Sequence, residues 1–118
     1  MRASGAVFEQ RARIELERAG LRLLASNYTT RHGELDLVMQ HGDTVVFVEV
    51  RHRQRAGHGD ATTSVTRSKQ EKLIRTAQLW LAAHPQYAQR PCRFDVVSYD
   101  GPADDARMHW LKGAFEAY

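Results

Sequence analysis

The chain is poor in cysteine and has no recognisable zinc-binding pattern. A single cysteine, Cys92, occurs among 118 residues, so neither an intramolecular disulfide nor a cysteine-based zinc site can form within it. We expect Cys92 to be a small buried residue. The six histidines show no HExxH or comparable spacing, which argues against a histidine-ligated zinc site as well.

Long apolar segments are missing too. No run approaches the roughly 18 apolar residues that a membrane span requires, and the N-terminus lacks the apolar stretch of a secretory signal. We therefore expect a cytoplasmic protein with no membrane partner. The sequence has no P-loop, no nucleophile elbow around a serine, no internal repeat and no low-complexity segment. These absences argue against P-loop NTPase and serine hydrolase chemistry.

The charge of the chain is concentrated in one segment. The net charge of the whole chain is a modest +3. Its length of 118 residues, 42% of them hydrophobic, fits a single domain over residues 1–118. Residues 51–75 contain seven basic and two acidic side chains, a local charge of +5, while the rest of the chain carries −2. Such a basic cluster suits the binding of nucleic-acid phosphates. A solvated basic surface is the alternative interpretation.

The N-terminal segment has the pattern of a helix. Apolar residues recur there at helical spacing, namely Phe8, Ala12, Leu16 and Ala19. Ser4 is a candidate N-cap and Gly20 a candidate C-terminal stop. Three strands are then predicted, at residues 21–27, 34–40 and 44–51; the second and third, taken together, are rich in β-branched and aromatic side chains.

Gly42 and Asp43 separate the second and third strands. Gly followed by Asp suits a two-residue type II′ hairpin loop, which fixes the register so that opposed residue numbers sum to 85. The expected partners are then Val38 with Phe47, Asp36 with Glu49, and Glu34 with Arg51. Both faces of the strand at 44–51 are apolar, so we expect it to lie inside a sheet covered on both sides.

The second half of the chain adds a loop, a helix and further strands. Residues 53–63 contain two glycines and no periodicity, which predicts a long mobile loop. A helix should follow from Thr66 or Ser68 to about residue 83. A strand is predicted at 93–99, and an edge strand at 108–111 should precede a short terminal helix with Ala114 and Phe115. We expect Trp80 and Trp110 in the core, and Asp95 as a buried, hydrogen-bonded acid. The fold class is α/β, with a sheet between helices.

Asp36 and Glu49 form the most informative pair of residues. Two carboxylates that face each other on a hairpin have Cβ atoms about 4.5–5.5 Å apart and repel each other unless something compensates. Mg²⁺ or Mn²⁺, ligated by the carboxylates and by phosphate oxygens, would compensate and would indicate phosphodiester chemistry. In the alternative interpretation, Arg31, Arg51 or a shared proton neutralises a purely structural pair.

Arg51 points to the same side of its strand as Glu49. A cation there can contact a phosphate beside a metal ion, or it can pair with Glu34 across the strands. Both interpretations stay open.

Five short motifs together resemble one known family. They are Gly5 to Glu9, Gly33-Glu34-Leu35-Asp36-Leu37, Phe47-Val48-Glu49-Val50-Arg51, Lys69, and Arg93-Phe94-Asp95-Val96-Val97. The chain resembles the YraN-like family of small bacterial proteins, part of the PD-(D/E)XK nuclease superfamily, over nearly its whole length. The resemblance implies a restriction-endonuclease-like αβββαβ core with a mixed central sheet, similar to archaeal Holliday junction resolvases. It also implies a metal-dependent nuclease acting on DNA, with branched DNA as a candidate substrate.

The resemblance assigns roles to individual residues. Asp36 and Glu49 match the two metal-binding acids, Glu9 matches a third acid from the first helix, and the carbonyl of Val50 would be a further metal ligand. Without the resemblance, Glu9 is an ordinary helix-edge glutamate. Lys69 matches a basic position of the family in the second helix; the alternative interpretation is a solvated helix lysine.

Arg51 departs from the superfamily motif, which places there a lysine that positions or activates the attacking water. Arginine stays protonated above pH ~12 and cannot act as a general base, but it can clamp a phosphate. The departure favours a second hypothesis, a catalytically inactive nucleic-acid-binding module that keeps the nuclease fold. A homodimer would suit a two-fold DNA junction, although no residue demands one. The candidate DNA-binding residues are Arg53, Arg55, Arg67, Lys69 and Lys72.

Overall fold

The structure, a computed structural model, describes residues 3–54 and 65–117 and shows a five-stranded sheet with two helices. The elements are α1 (Ala3–Arg18), β1 (Arg22–Thr30), β2 (Gly33–His41), β3 (Thr44–Arg53), α2 (Arg67–Ala83), β4 (Cys92–Asp100) and β5 (Arg107–Phe115). The strands are ordered β1-β2-β3-β4-β5; β3 and β4 run parallel, and the other neighbouring pairs run antiparallel. The α/β class with a mixed sheet is confirmed, and the order of elements is compatible with a restriction-endonuclease-like core.

Gly20 ends α1 as predicted. Its φ of 99° lies in the left-handed region, which glycine adopts without the penalty of a Cβ atom. Its N–H donates to the carbonyl of Glu17, and the N–H of Leu21 donates to the carbonyl of Leu16, both at 3.0 Å. These are the two hydrogen bonds of a Schellman motif. The start of α1 differs from the prediction, because the helix begins at Ala3 and Ser4 already lies in its first turn rather than at the cap.

The β2–β3 hairpin has the predicted register over most of its length. Gly42 has a φ of 61° and Asp43 has no positive φ, which is the combination that a type II′ turn needs. His41 pairs with Thr44 and Val38 with Phe47, as the turn requires. The hairpin therefore carries the two acids of the predicted site on neighbouring strands.

Each face of the sheet packs against one helix. Phe8, Ala12 and Leu16 of α1 pack with Val46, Val48 and Val97, a set that we call the α1-side core. On the opposite face, Leu73, Ala77 and Trp80 of α2 pack with Val45, Phe47 and Phe94, the α2-side core. Because β3 supplies alternate side chains to both cores, it is buried on both faces, as predicted.

Three expectations about the C-terminal half are corrected. Ala114 and Phe115 belong to β5 and not to a terminal helix, because Phe115 pairs with Phe94 across the sheet and stacks on its ring at 4.8 Å. Cys92 is exposed, since it is the first residue of β4 and precedes the part of the strand that the helices cover. Arg53, placed at the start of the loop 53–63, is the last residue of β3. Residues 55–63 of that loop lie outside the described residues.

Two further expectations for this half are confirmed. Trp80 is 1% exposed and belongs to the α2-side core, and Trp110 is partly buried against the α1-side core. Asp95 is fully buried and accepts hydrogen bonds from Arg93, Trp110 and the backbone of Gly113. None of the helices in the described part of the chain is both long and apolar enough to span a membrane.

Candidate active site

Asp36 and Glu49 lie side by side at the end of the β2–β3 hairpin. The backbone pairing of the two strands stops at Leu37 and Val48, one pair short of the two acids. Beyond that point, Oδ2 of Asp36 accepts a hydrogen bond of 2.9 Å from the backbone N–H of Val50. The predicted backbone pairing of Asp36 with Glu49 is therefore replaced by a contact between a side chain and the backbone of the next strand. Both acids are buried, with exposed fractions of 8% and 7%.

An irregularity in β2 turns Asp36 toward β3. Leu35 packs in the α2-side core and Leu37 in the α1-side core, although residues two apart on a regular strand face the same side. The backbone pairing of β1 with β2 also passes over Asn27 and Asp36, which would be opposed. Asn27 has a φ of 51°, a left-handed conformation that Asn tolerates better than most residues. Strands β1 and β2 thus both depart from regular geometry at the level of Asp36.

The environment of the two acids favours their protonated forms. Burial, followed by the charge of Glu49, raises the pKa of Asp36 from 3.8 to about 8. Burial also raises the pKa of Glu49, against the charge of Lys69 and a hydrogen bond from Asp36, which lower it. In the absence of another cation, the pair therefore favours a state in which Asp36 keeps its proton and shares it with Glu49.

Two cations contact Glu49 on the solvent side. Nζ of Lys69 is 3.6 Å from Oε2 of Glu49, and Nη1 of Arg51 is 3.9 Å from the same oxygen. Lys69 comes from the first turn of α2, whose N-cap Thr66 accepts a hydrogen bond from the backbone N–H of Lys69. The structure thus brings together Asp36, Glu49 and Arg51, as predicted from the hairpin, and adds Lys69 from a distant part of the chain.

Glu9 approaches the pair from α1. Its Oε1 accepts a hydrogen bond of 2.8 Å from Nδ2 of Asn27, and its negative charge contributes to the raised pKa of Asp36. The three acids of the prediction therefore lie in one region, where the pairing of β2 with β3 ends and α1 packs on the sheet. Val50, whose carbonyl was the fourth expected ligand, is half-buried between Glu49 and Arg51 and donates its N–H to Asp36.

Asp36 and Glu49 offer carboxylate oxygens, the ligands that a hard divalent cation prefers. Within residues 3–54 and 65–117, no three His, Cys, Asp or Glu side chains are close enough to form a metal site by themselves. Mg²⁺ does not need such a set, because it binds through one or two carboxylates and completes its shell with water and phosphate oxygens. Two adjacent buried carboxyl groups that repel each other are suitable ligands for such a cation. The residues present therefore fit Mg²⁺ or Mn²⁺.

The other basic residues named from the sequence are spread around the site. Arg53 makes a two-pronged ion pair with Asp100, Nε to Oδ1 at 2.7 Å and Nη2 to Oδ2 at 2.8 Å. Arg67 is exposed, with Nε 3.8 Å from Glu71 on the same helix, and Lys72 is exposed one turn beyond. Arg55 lies outside the described residues. Their role in DNA binding stays a prediction.

Two contributors to the site were missed in the sequence. Asn27 holds Glu9, and the only signal for it was an asparagine at the edge of a predicted strand, where a left-handed residue is most often Asn or Gly. Asp100, buried at the end of β4, holds Arg53 and also accepts a hydrogen bond of 2.6 Å from Ser98. No local pattern marks Asp100, because its partner lies 47 residues away.

Comparison with known sequences identifies the family. Residues 8–99 match the family described as "Uncharacterised protein family UPF0102", the YraN family. The chain belongs to the UPF0102 family. The matched region includes both acids of the hairpin, Glu9, Arg51 and Lys69.

Relatives of the UPF0102 family match almost the whole chain. A UPF0102 protein of Xylella fastidiosa strain 9a5c is 55% identical over 114 residues, which cover 97% of this chain and 93% of the relative. A UPF0102 protein of Stutzerimonas stutzeri strain A1501 is 50% identical over 115 residues, covering 98% and 96% respectively. A third, from Pseudomonas fluorescens strain ATCC BAA-477, is 49% identical over 115 residues, covering 97% and 94%. The resemblance expected from the motifs is confirmed at the level of the family.

Proposed function

We propose that this UPF0102 protein is a metal-dependent nuclease that hydrolyses phosphodiester bonds in DNA. The observation that carries the proposal is the buried pair of Asp36 and Glu49 with two cations at its solvent side. Two adjacent buried carboxyl groups destabilise a fold unless a proton or a cation joins them. Binding of Mg²⁺ or Mn²⁺ by the two carboxylates would explain why the fold contains this otherwise destabilising pair.

The surroundings of the pair suit a phosphate substrate. Carboxylates alone would repel a DNA backbone, whereas Arg51 and Lys69 place positive charge beside the carboxylate of Glu49. Arg51 has a planar guanidinium group that can bind two oxygens of one phosphate. The site thus combines ligands for a divalent cation with donors for the phosphate that the cation would hold.

Each residue has a distinct part in the proposed reaction. Asp36 and Glu49 would hold the metal, with the carbonyl of Val50 as a further ligand, and Glu9 would assist from α1. A bound divalent cation supplies Lewis-acid chemistry, because it neutralises charge on the phosphate and lowers the pKa of water. Arg51 clamps the scissile phosphate and stabilises the negative charge that grows on it in the transition state.

DNA is the proposed polymer, and branched DNA the proposed structure. The basic residues Arg53, Arg55, Arg67 and Lys72 supply contacts to the backbone away from the cleaved bond. The likeness to junction resolvases, which is an analogy of fold alone, suggests branched substrates and a homodimer that matches their two-fold symmetry. Such a substrate places the activity in the cytoplasm.

A cleavage assay tests the proposal directly. Single-stranded, duplex, flap and four-way-junction DNA are incubated with Mg²⁺ or Mn²⁺, and with EDTA as the metal-free control. Asp36→Asn and Glu49→Gln should reduce cleavage by about 100-fold or more while DNA binding stays within a few-fold of the wild type. Asp104→Asn, the same change at an exposed acid of the Ala103–Asp105 turn, should leave cleavage unchanged. Full cleavage by Asp36→Asn would refute the assignment of the site.

Arg51 supports a second candidate function, a nucleic-acid-binding module that has lost catalysis. A guanidinium group cannot give up its proton at neutral pH, so it cannot replace a lysine that activates water. This candidate predicts DNA binding that weakens with salt, and no cleavage with any metal. It also predicts that Arg51→Lys, which restores the superfamily motif, produces cleavage in an otherwise inert protein.

A further inference from the structure

We propose that Lys69, in the first turn of α2, is a catalytic residue of this site, whose ammonium group contacts the attacking water and a non-bridging oxygen of the scissile phosphate. The inference rests on the nuclease function proposed above. In the superfamily motif, the lysine that positions the attacking water stands on β3, where this chain has Arg51. The inference assigns that role to Lys69 of the second helix. The sequence alone assigned Lys69 only to the DNA backbone.

The position of the ammonium group is the first argument. Nζ of Lys69 is closer to Oε2 of Glu49 than the nearest nitrogen of Arg51 is, 3.6 Å against 3.9 Å. The side chain of Glu49 is 9% exposed and that of Lys69 is 44% exposed. The ammonium group therefore lies between a buried acid and solvent. It is thus positioned to contact a phosphate that approaches Glu49 from the solvent.

The chemistry of the two cations is the second argument. A lysine ammonium is a compact charge with three donors on a flexible stem, whereas arginine presents its donors in one fixed plane. Lys69 can therefore donate to Glu49, to a phosphate oxygen and to a water molecule at the same time. Arg51 is better suited to hold two oxygens of one phosphate. The two residues can thus serve the same reaction without duplicating each other.

The backbone of Lys69 is held in place by its neighbours. Oγ1 of Thr66 accepts the backbone N–H of Lys69 at 3.1 Å. The next residue, Gln70, donates from its side chain to the carbonyl of Val65 at 3.0 Å, and Val65 is 3% exposed within the α2-side core. The first turn of α2 is therefore fixed relative to β3. A fixed backbone reduces the cost of placing a long side chain in one position.

The other described cations of α2 have different surroundings. Arg67 is highly exposed and pairs with Glu71 of the same helix, Nε to Oε2 at 3.8 Å. Among the described residues, the cations that form an ion pair with Glu49 are Lys69 and Arg51. Lys69 therefore differs from Arg67 because its position on the helix brings it to Glu49, although both belong to the same basic segment.

The role is compatible with a balanced hydrolysis step. Water adds to phosphorus and forms a new P–O bond while the bond to the leaving sugar oxygen breaks. The proton of the water passes to solvent, and the leaving oxygen takes a proton from solvent. Lys69 neither gives nor takes a proton in this step and donates hydrogen bonds to the attacking water and to the oxygen on which negative charge increases.

Lys69→Met tests the inference, with Lys112→Met as the matched control. Lys112 is an exposed lysine on β5 whose Nζ lies 4.5 Å from the centre of the Trp110 ring. Three quantities are measured for each full-length variant: the cleavage rate on the preferred DNA with Mn²⁺, the affinity for Mn²⁺ alone by calorimetry, and DNA binding in EDTA by fluorescence anisotropy. Thermal melting verifies that each variant is folded.

Lys69→Met should slow cleavage by about 100-fold or more, as the loss of one donor to transition-state charge does elsewhere. Its affinity for Mn²⁺ should be equal or higher, because a cation next to Glu49 has been removed, and its DNA affinity should fall by less than about tenfold. Lys112→Met should cleave as the wild type does. Adding Arg51→Lys to Lys69→Met should recover part of the lost rate, because it places an ammonium group on the same side of Glu49.

Cleavage by Lys69→Met within about threefold of the wild type would overturn the inference and leave the nuclease function standing. A loss of cleavage matched by an equal loss of Mn²⁺ affinity would also overturn it, because Lys69 would then support the fold of the metal site. A wild-type protein that cleaves none of the DNA structures would instead refute the proposed function itself, and the role of Lys69 with it.

Discussion

The carboxylate of Asp36 accepts the backbone N–H of Val50 at 2.9 Å, so a side chain of β2 replaces the next backbone hydrogen bond of the hairpin. This contact has two effects. It satisfies a backbone donor near the end of the paired region, and it holds the carboxyl group against Glu49. The position of the candidate metal ligand is therefore set by the same hydrogen bond that completes the hairpin.

Substitutions at Asp36 should separate these two effects. In EDTA at pH 7.5, Asp36→Asn should stabilise the protein by on the order of 1 kcal/mol. The amide keeps an acceptor for Val50 and is neutral in both states, whereas the raised pKa of Asp36 means that the wild type must take up a proton to fold at this pH. Asp36→Ala should destabilise the protein by about 1–3 kcal/mol, because the N–H of Val50 then loses its partner. Thermal unfolding of both variants measures the difference, and equal melting temperatures would contradict this account of the hydrogen bond.

A divalent cation should stabilise the wild-type protein through the same pair. A ligand that binds the folded state adds about 2.7 kcal/mol of stability at 100 times its dissociation constant. Mn²⁺ should therefore raise the melting temperature of the wild type by several degrees, and Asp36→Asn and Glu49→Gln should show much smaller shifts. Samples without added metal and samples treated with EDTA serve as references. A shift of the same size in Glu49→Gln would show that the metal binds elsewhere.

The ion pair of Arg53 and Asp100 should determine part of the acid stability. The hydrogen bonds from Arg53 lower the pKa of Asp100 from 3.8 to about 2. A carboxyl group with a depressed pKa in the folded state contributes stability above its unfolded value near 3.8, and this contribution is lost as the pH falls through about 2. We expect a contribution on the order of 1–2 kcal/mol at neutral pH.

Urea unfolding from pH 5 down to pH 2 measures this contribution. Asp100→Asn should be less stable than the wild type at pH 5, and the difference should shrink steadily below pH 4. Asp104→Asn, an exposed acid a few residues away, should keep a constant and small difference over the same range. A constant deficit in Asp100→Asn would mean that the ion pair does not carry the effect.

The parts of the fold that depend on local chemistry were predictable from the sequence. Gly20 and Gly42 mark a helix end and a hairpin loop because few other residues adopt their backbone angles cheaply. The register that follows from Gly42 is enough to place Asp36 near Glu49. The apolar alternation of β3 likewise predicted a strand buried on both faces.

The parts that depend on distant contacts were not predictable. Ala114 and Phe115 read locally as a short apolar helix, but Phe115 is held in β5 by Phe94, and Gly113 donates its N–H to Asp95. Lys69 lies 20 residues from Glu49 and on another element, so its distance to the acid follows only from the packing of α2 on the sheet. Sequence patterns fix angles and alternation, whereas these contacts depend on the whole core.

Asp95 should be essential for stability but not for cleavage. It is fully buried and accepts hydrogen bonds from Arg93, from Nε1 of Trp110 at 2.9 Å and from the backbone of Gly113 at 3.0 Å. Asp95→Ala leaves these donors unpaired and should cost about 3–5 kcal/mol. Denaturant unfolding measures the loss. A variant that is as stable as the wild type would show that water replaces the carboxylate.

Asn27 provides a test of Glu9 that leaves Glu9 in place. The amide of Asn27 donates to Oε1 of Glu9 at 2.8 Å, and the residue has a φ of 51°. Asn27→Gly adopts this φ without strain, so the backbone should be preserved while the contact to Glu9 is lost. If Glu9 assists in metal binding, Asn27→Gly should weaken Mn²⁺ affinity by about 10- to 100-fold, the size of an effect on a residue that orients a ligand.

Glu9→Gln is the comparison for this prediction. It removes the charge that Asn27 orients, so it should weaken Mn²⁺ binding at least as much as Asn27→Gly does. The double variant should then be no weaker than Glu9→Gln alone, because Asn27 acts only through Glu9. Calorimetric titration of Mn²⁺ into the four proteins completes the cycle. Additive losses would show that Asn27 acts on the metal site by another route, for example through the backbone opposite Asp36.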